Sequence, residues 1–153
     1  MPNAASLTGR QILIMATDGF EQSELEVPLK QLEDAGADIS IASLRTDDIR
    51  GWDGDDWGNK VAVDCLIEDV DVEDYDALVL PGGQINPDLL RVEDAAIDLI
   101  RAFAKAGKPI AAICHAPWLL IEAGLAEGRR MTGYKSIRTD IGNAGARLLD
   151  EAV

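Results

Sequence analysis

The chain has 153 residues, 47% apolar and 27% charged, enough for one domain with a sizeable core. Its 28 Asp and Glu against 14 Lys and Arg leave a net charge of −14, a surface that repels phosphate backbones and argues against a nucleic-acid partner. Cys65 and Cys114, with no CxxC spacing, argue against structural disulfides and a cysteine zinc site and for a reducing compartment.

The acidity suits solubility and equally suits a high-salt cytoplasm; the sequence leaves both open. No stretch approaches the ~20 apolar residues of a membrane span, and no basic segment with a long apolar core opens the chain, so the expected location is the cytoplasm.

Residues 1–9 form a polar lead-in, expected to be flexible, and residues 10–153 a single domain. Residues 11–16 (QILIMA) are a continuous apolar run, the mark of a parallel strand covered on both faces. Ser23 is the expected cap of a helix running to Ala35 and stopped by Gly36, with Leu25, Leu29 and Leu32 as its core stripe and Pro28 near its start. A second strand follows at 38–43. Residues 44–59 read as a long acidic loop carrying Trp52 and Trp57, rings that need a packing surface. Residues 60–65 alternate like a short edge strand, and Cys65 continues their apolar face. Residues 76–80 are a third buried strand ending in Pro81-Gly82-Gly83. A helix is predicted from Pro87 or Asp88 to Ala106. A buried strand at 109–113 passes directly into a helix at 117–121, with Cys114 and His115 at the junction. A short strand near 129–132, a helix at 136–143 and a strand from Ala146 complete the chain.

Apolar strands alternating with helices imply a mainly parallel sheet with helices on both faces, a flavodoxin-like or Rossmann-like three-layer sandwich. Ligand crevices in such sheets lie at the carboxyl ends of the strands. Residues 18–24, residues 81–88 and Cys114-His115 are expected to meet there.

Cys114 sits where a sharp strand-to-helix turn presents a side chain under a helix N-terminus, which favours a thiolate; the competing reading is a buried, inert cysteine. His115 is the only histidine, hence the only group of the chain whose ordinary pKa suits proton transfer at neutral pH. Neighbouring side chains at a turn are expected to diverge. Glu21 and Glu24 are acids favoured in a first helical turn by the dipole, or one of them reaches Cys114 and shares a proton with the sulfur. Gly82-Gly83 is a turn, or it frees backbone N–H groups for an oxyanion. No GxGxxG or GxxxxGK[ST] supports a nucleotide cofactor, and one histidine with scattered acids argues against a metal; no cofactor is expected.

DGFEQSELEVPLKQLEDAG, DALVLPGGQINPDLLR, GKPIAAICHAPWLLIEAGL and SIRTDIGNAGA resemble, in order and spacing, the PfpI family. That family lies within the superfamily of the parkinsonism-associated deglycase and the class I glutamine amidotransferases. The resemblance implies a flavodoxin-like fold with Cys114 as nucleophile, Glu24 hydrogen-bonded to it, Glu21 as a second pocket acid, and His115 as catalytic histidine. It implies an oxyanion hole from Gly83 and the His115 backbone, with Tyr134 lining the pocket. It further implies that Asp88 enters a neighbouring subunit's site to orient the histidine, in a homodimer or a higher oligomer. The implied activities are conversion of methylglyoxal to lactate without glutathione, deglycation and peptide hydrolysis, with links to stress resistance. The alternative is a non-enzymatic stress protein sensing oxidation through Cys114. Ala116, Asp88 and Gly133 depart from common family residues. The chain ends at Val153, before the last strands and helix that the resemblance implies.

Overall fold

The computed structural model describes residues 5–152. Along the chain come β1 (Gln11–Met15), α1 (Gln22–Asp34), β2 (Asp38–Ser43), β3 (Ile49–Asp53), β4 (Asp56–Val61), β5 (Cys65–Leu66) and β6 (Ala77–Leu80). There follow α2 (Ile85–Leu90), α3 (Asp94–Lys105), β7 (Ile110–Ala112), α4 (Pro117–Glu122), β8 (Arg130–Met131), α5 (Arg138–Asn143) and β9 (Arg147–Leu148). The central sheet has the order β5-β2-β1-β6-β7, and each neighbouring pair is parallel.

Alternation of side chains along the strands divides the interior into two cores. Leu13 and Met15 join Leu78 and Leu80 on one face, which α3 closes with Ala96, Ile97, Ile100 and Phe103. Ile12 and Ile14 join Val79 on the other, closed by Phe20 and by Leu25 of α1. Both faces of β1 are thereby dry, which is why its sequence is apolar throughout rather than alternating. The outcome is the expected three-layer α/β sandwich around a parallel sheet.

Several local expectations change. Residues 44–59 are not a loop, because β3 and β4 pair antiparallel with Trp52 opposite Trp57, their ring centroids 5.4 Å apart and edge-to-face. Each indole supplies the packing surface that the other lacks. Lys60 and Val61 belong to the end of this hairpin, whereas Cys65 opens β5 alongside β2. The single helix predicted up to Ala106 is two, since Glu93 is extended (φ −97°, ψ 110°) at the start of α3. Glu21, not Ser23, holds the cap position of α1, and its side chain makes no cap bond. Strand β7 is a sheet edge with Ala111 exposed, not a buried strand. Of the predicted lead-in, residues 1–4 lie outside the described residues; Leu7 donates its N–H to Ala35 O at 2.8 Å.

Candidate active site

Strand β7 ends at Ala112 and α4 begins at Pro117, which leaves residues 113–116 to turn the chain. Cys114 absorbs the turn at φ 61°, the one positive φ at a non-glycine among the described residues. A Cβ in that region is strained by about 1–3 kcal/mol, so the surrounding structure must hold it. Ala116 N–H to Ile113 O at 2.9 Å closes the turn, and Tyr134 N–H to Cys114 O at 2.8 Å ties it to the segment before α5.

The loop after β6 packs against this turn. A Cβ on Gly82 would collide with the Glu24 carboxylate, Ile113 O and Cys114 Cβ. Gly83 has φ 80°, and a Cβ there would strike Gly19 O and Glu21 N. The Gly pair is therefore set by close approach as well as by the turn. The N–H groups of Gly83 and His115 both donate toward Cys114 Sγ. Donors aimed at the sulfur favour its charged form and so lower its pKa.

Helix α1 delivers the acid. Glu24 Oε2 accepts the Gly82 N–H at 2.9 Å, and the same carboxyl meets the Cys114 thiol. Burial raises the Glu24 pKa above the ordinary carboxylate value and the charge of Glu21 adds to this, against the lowering effect of its hydrogen bonds. Glu21 Oε1 accepts the Gly54 N–H at 3.2 Å, so this second acid links the Trp52–Trp57 hairpin to the site.

A ready thiolate is not what the geometry produces. Burial, then the neighbouring Glu24 charge, push the Cys114 thiol up to about 11, beyond what the Gly83 and His115 N–H groups restore. Helix α4 has only 6 residues and starts three positions past Cys114, so its end contributes too weak a field to reverse this.

His115 does not diverge from its neighbour. The positive φ of Cys114 folds the two side chains together, with Nδ1 3.1 Å from Sγ. Nε2 lies 3.1 Å from Ser136 Oγ. Tyr134 stacks on the imidazole (centroids 4.7 Å apart, 26° between planes), and Trp118 meets it edge-on at 5.2 Å. The ring is 8% exposed, and burial lowers its pKa, so it is neutral at pH 7 and able to take a proton.

The structure thus brings Cys114, His115, Glu24, Gly82, Gly83 and Tyr134 together, with Glu21 at the margin. Asp88 lies exposed on α2, and both ring nitrogens of His115 already have partners within the chain. Three contributors were not singled out in the sequence. Asn86 is fully buried, accepts the Thr17 N–H at 2.8 Å and donates to Pro81 O at 2.9 Å, lacing together the loops after β1 and β6. Its only signal was an amide side chain three positions after a Gly pair. Trp118, whose Nε1 donates to Asp140 at 3.0 Å, and Ser136 carry no such local signal. Among the described residues no three His, Cys, Asp or Glu side chains converge as metal ligands.

A cysteine at a left-handed elbow, paired with an acid from the helix after the first strand, stands beside a match of residues 10–153 to the DJ-1/PfpI family. The chain belongs to the DJ-1/PfpI family. Among its DJ-1/PfpI relatives, the deglycase TK1284 of Thermococcus kodakarensis is 39% identical over 143 residues, 94% of this chain and 83% of that protein. General stress protein 18 of Bacillus subtilis is 40% identical over 146 residues, 95% of this chain and 83% of that one. The fold is likewise that of solved DJ-1/PfpI structures. A two-domain protein of Anabaena variabilis with DJ-1/ThiJ/PfpI-like and ferritin-like domains superposes at a TM-score of 0.88 with 30% identity. That match covers 94% of this chain and 40% of the larger protein. No helix among the described residues is long and apolar enough to cross a membrane.

Proposed function

We propose that this DJ-1/PfpI chain is a stress-response cysteine enzyme acting on reactive carbonyls and their adducts, a glutathione-independent glyoxalase or deglycase. The observation that carries the reading is Cys114 Sγ facing His115 Nδ1 at 3.1 Å while two backbone N–H groups converge on the same sulfur. Relatives named as a deglycase and as a general stress protein support it.

For a 2-oxoaldehyde the steps balance without a cofactor. His115 Nδ1 takes the thiol proton as sulfur bonds to the aldehyde carbon, and the oxyanion settles against the N–H groups of Gly83 and His115. Protonation of that oxygen gives a hemithioacetal. Loss of the C1 proton to His115 and its return at C2 oxidises C1 and reduces C2, leaving a lactoyl thioester. Water hydrolyses the thioester, releasing lactate and the thiol. Glu24, with its raised proton affinity, donates a hydrogen bond to the sulfur once the sulfur carries charge. The same parts would cleave a peptide, but a nucleophile half-buried between α1 and the Tyr134 segment favours a small carbonyl over an extended backbone.

We assign the protein to the cytoplasm, where its two free thiols persist, and to a homodimer or larger oligomer in which exposed Asp88 approaches a neighbouring site. Residues 10–153 act as one domain in this reading. The deciding assay is conversion of methylglyoxal to lactate without glutathione. Wild type should turn over and Cys114→Ala should not; equal, slow consumption by both would sink the enzyme reading.

A further inference from the structure

We infer that Ser136 is the positioning residue of His115, and that its hydroxyl sets which ring nitrogen faces Cys114 as a base. The inference rests on the reading of Cys114 and His115 as the working pair. Packing already fixes where the imidazole lies, with Tyr134 stacked on it and Trp118 against its edge. Packing against carbon does not decide which nitrogen carries the proton. That choice falls to the atoms facing the two nitrogens, Cys114 Sγ at Nδ1 and Ser136 Oγ at Nε2, each at 3.1 Å.

The two partners differ in kind. A thiol is a weak donor and a poor acceptor, whereas a hydroxyl oxygen accepts well. Cys114 keeps its proton at neutral pH, because burial and Glu24 hold it there. The best-matched arrangement therefore places the ring proton on Nε2, donated to Ser136 Oγ. Nδ1 then presents its lone pair to the thiol, which is the state a general base needs. In the opposite tautomer an Nδ1–H would point at the sulfur and could not take its proton.

Ser136 is held in place for this. It lies in the short 3-10 turn Lys135–Ile137, where Ile137 is 1% exposed and Ile137 N–H donates to Tyr134 O at 3.0 Å. Tyr134 N–H in turn bonds Cys114 O, so the turn carrying the hydroxyl is fastened to the elbow that it serves. Asp140 of α5 braces Trp118 from the same segment.

Because His115 is the only histidine, 15N-histidine labelling yields a single pair of ring nitrogen resonances that report the tautomer directly. In the full chain we expect a pyrrole-type Nε2 and a pyridine-type Nδ1. Ser136→Ala should shift both nitrogens toward the average of a tautomer mixture, and Ser136→Thr should restore the wild-type pair. Ser136 is exposed, so neither variant should lower Tm. In the methylglyoxal assay Ser136→Ala should lower kcat about fivefold, the size of one neutral hydrogen bond, with KM unchanged. Identical spectra for wild type and Ser136→Ala would overturn the inference. So would a spectrum that responds to Asp88→Asn and not to Ser136→Ala. If the spectra behave as expected while methylglyoxal is untouched, the positioning role stands and the carbonyl reading falls.

Discussion

Glu24 lies against Cys114: the carboxyl meets the thiol while Oε2 also accepts the Gly82 N–H at 2.9 Å. The Glu24 charge raises the thiol's affinity for a proton, whereas the thiol's hydrogen bond lowers that of the carboxyl, which burial raises. Glu24→Gln removes the charge and keeps the shape. The pH at which iodoacetamide labelling of Cys114 accelerates should then move down from about 11 toward that of an ordinary thiol. An unmoved profile would assign the whole shift to burial.

The same thiol makes stability depend on alkaline pH. Its folded value lies above its ordinary value of 9.0, so the folded chain keeps a proton that the unfolded chain loses, and stability falls as pH rises from 9.0 to about 11. Thermal melts across that window should decline more steeply for wild type than for Cys114→Ser.

Gly83→Ala forces a Cβ onto a residue at φ 80° and against Gly19 O and Glu21 N. Strain of this kind costs about 1–3 kcal/mol, or roughly 2–12 °C in Tm for a chain of this size. Turnover should fall further than stability alone explains, because the Gly83 N–H is one of the two donors at the sulfur.

Asn86→Ala leaves the buried Thr17 N–H and the Pro81 carbonyl without their side-chain partner. An unsatisfied buried group costs about 1–3 kcal/mol, so a fall in Tm of several degrees is expected by calorimetry. Asn86→Asp should fare worse, since a carboxylate cannot donate to Pro81 O.

With a net charge of −14, the chain repels itself at low ionic strength. Raising NaCl from about 0.1 M to 1 M shortens the screening length from ~10 Å to ~3 Å and should raise Tm. A flat response would mean that the acids are spaced widely enough to be indifferent.

Periodicity and composition alone determined the layered architecture. Continuous apolar runs at β1 and β6 can be dry on both faces only between layers, and the positions of Cys114 and Gly82-Gly83 at strand ends follow from that layout. The order of residues also located the elbow, because no loop fits between β7 and α4. What the sequence could not state was which groups meet across long separations. The Trp52–Trp57 hairpin was hidden because its pairing, not its composition, makes it a strand pair. The protonated state of Cys114 depends on burial and on Glu24, ninety positions earlier in the chain. Ser136 became part of the site only when a 3-10 turn, pinned through Tyr134 to Cys114 O, carried its hydroxyl to His115. The stretch from Pro109 to Gly124 placed a cysteine and a histidine at a strand-to-helix turn; tertiary contacts decided what surrounds them, burial and Glu24 at the thiol and Ser136 at the imidazole, because local pattern encodes which face is buried and only packing encodes what that face touches.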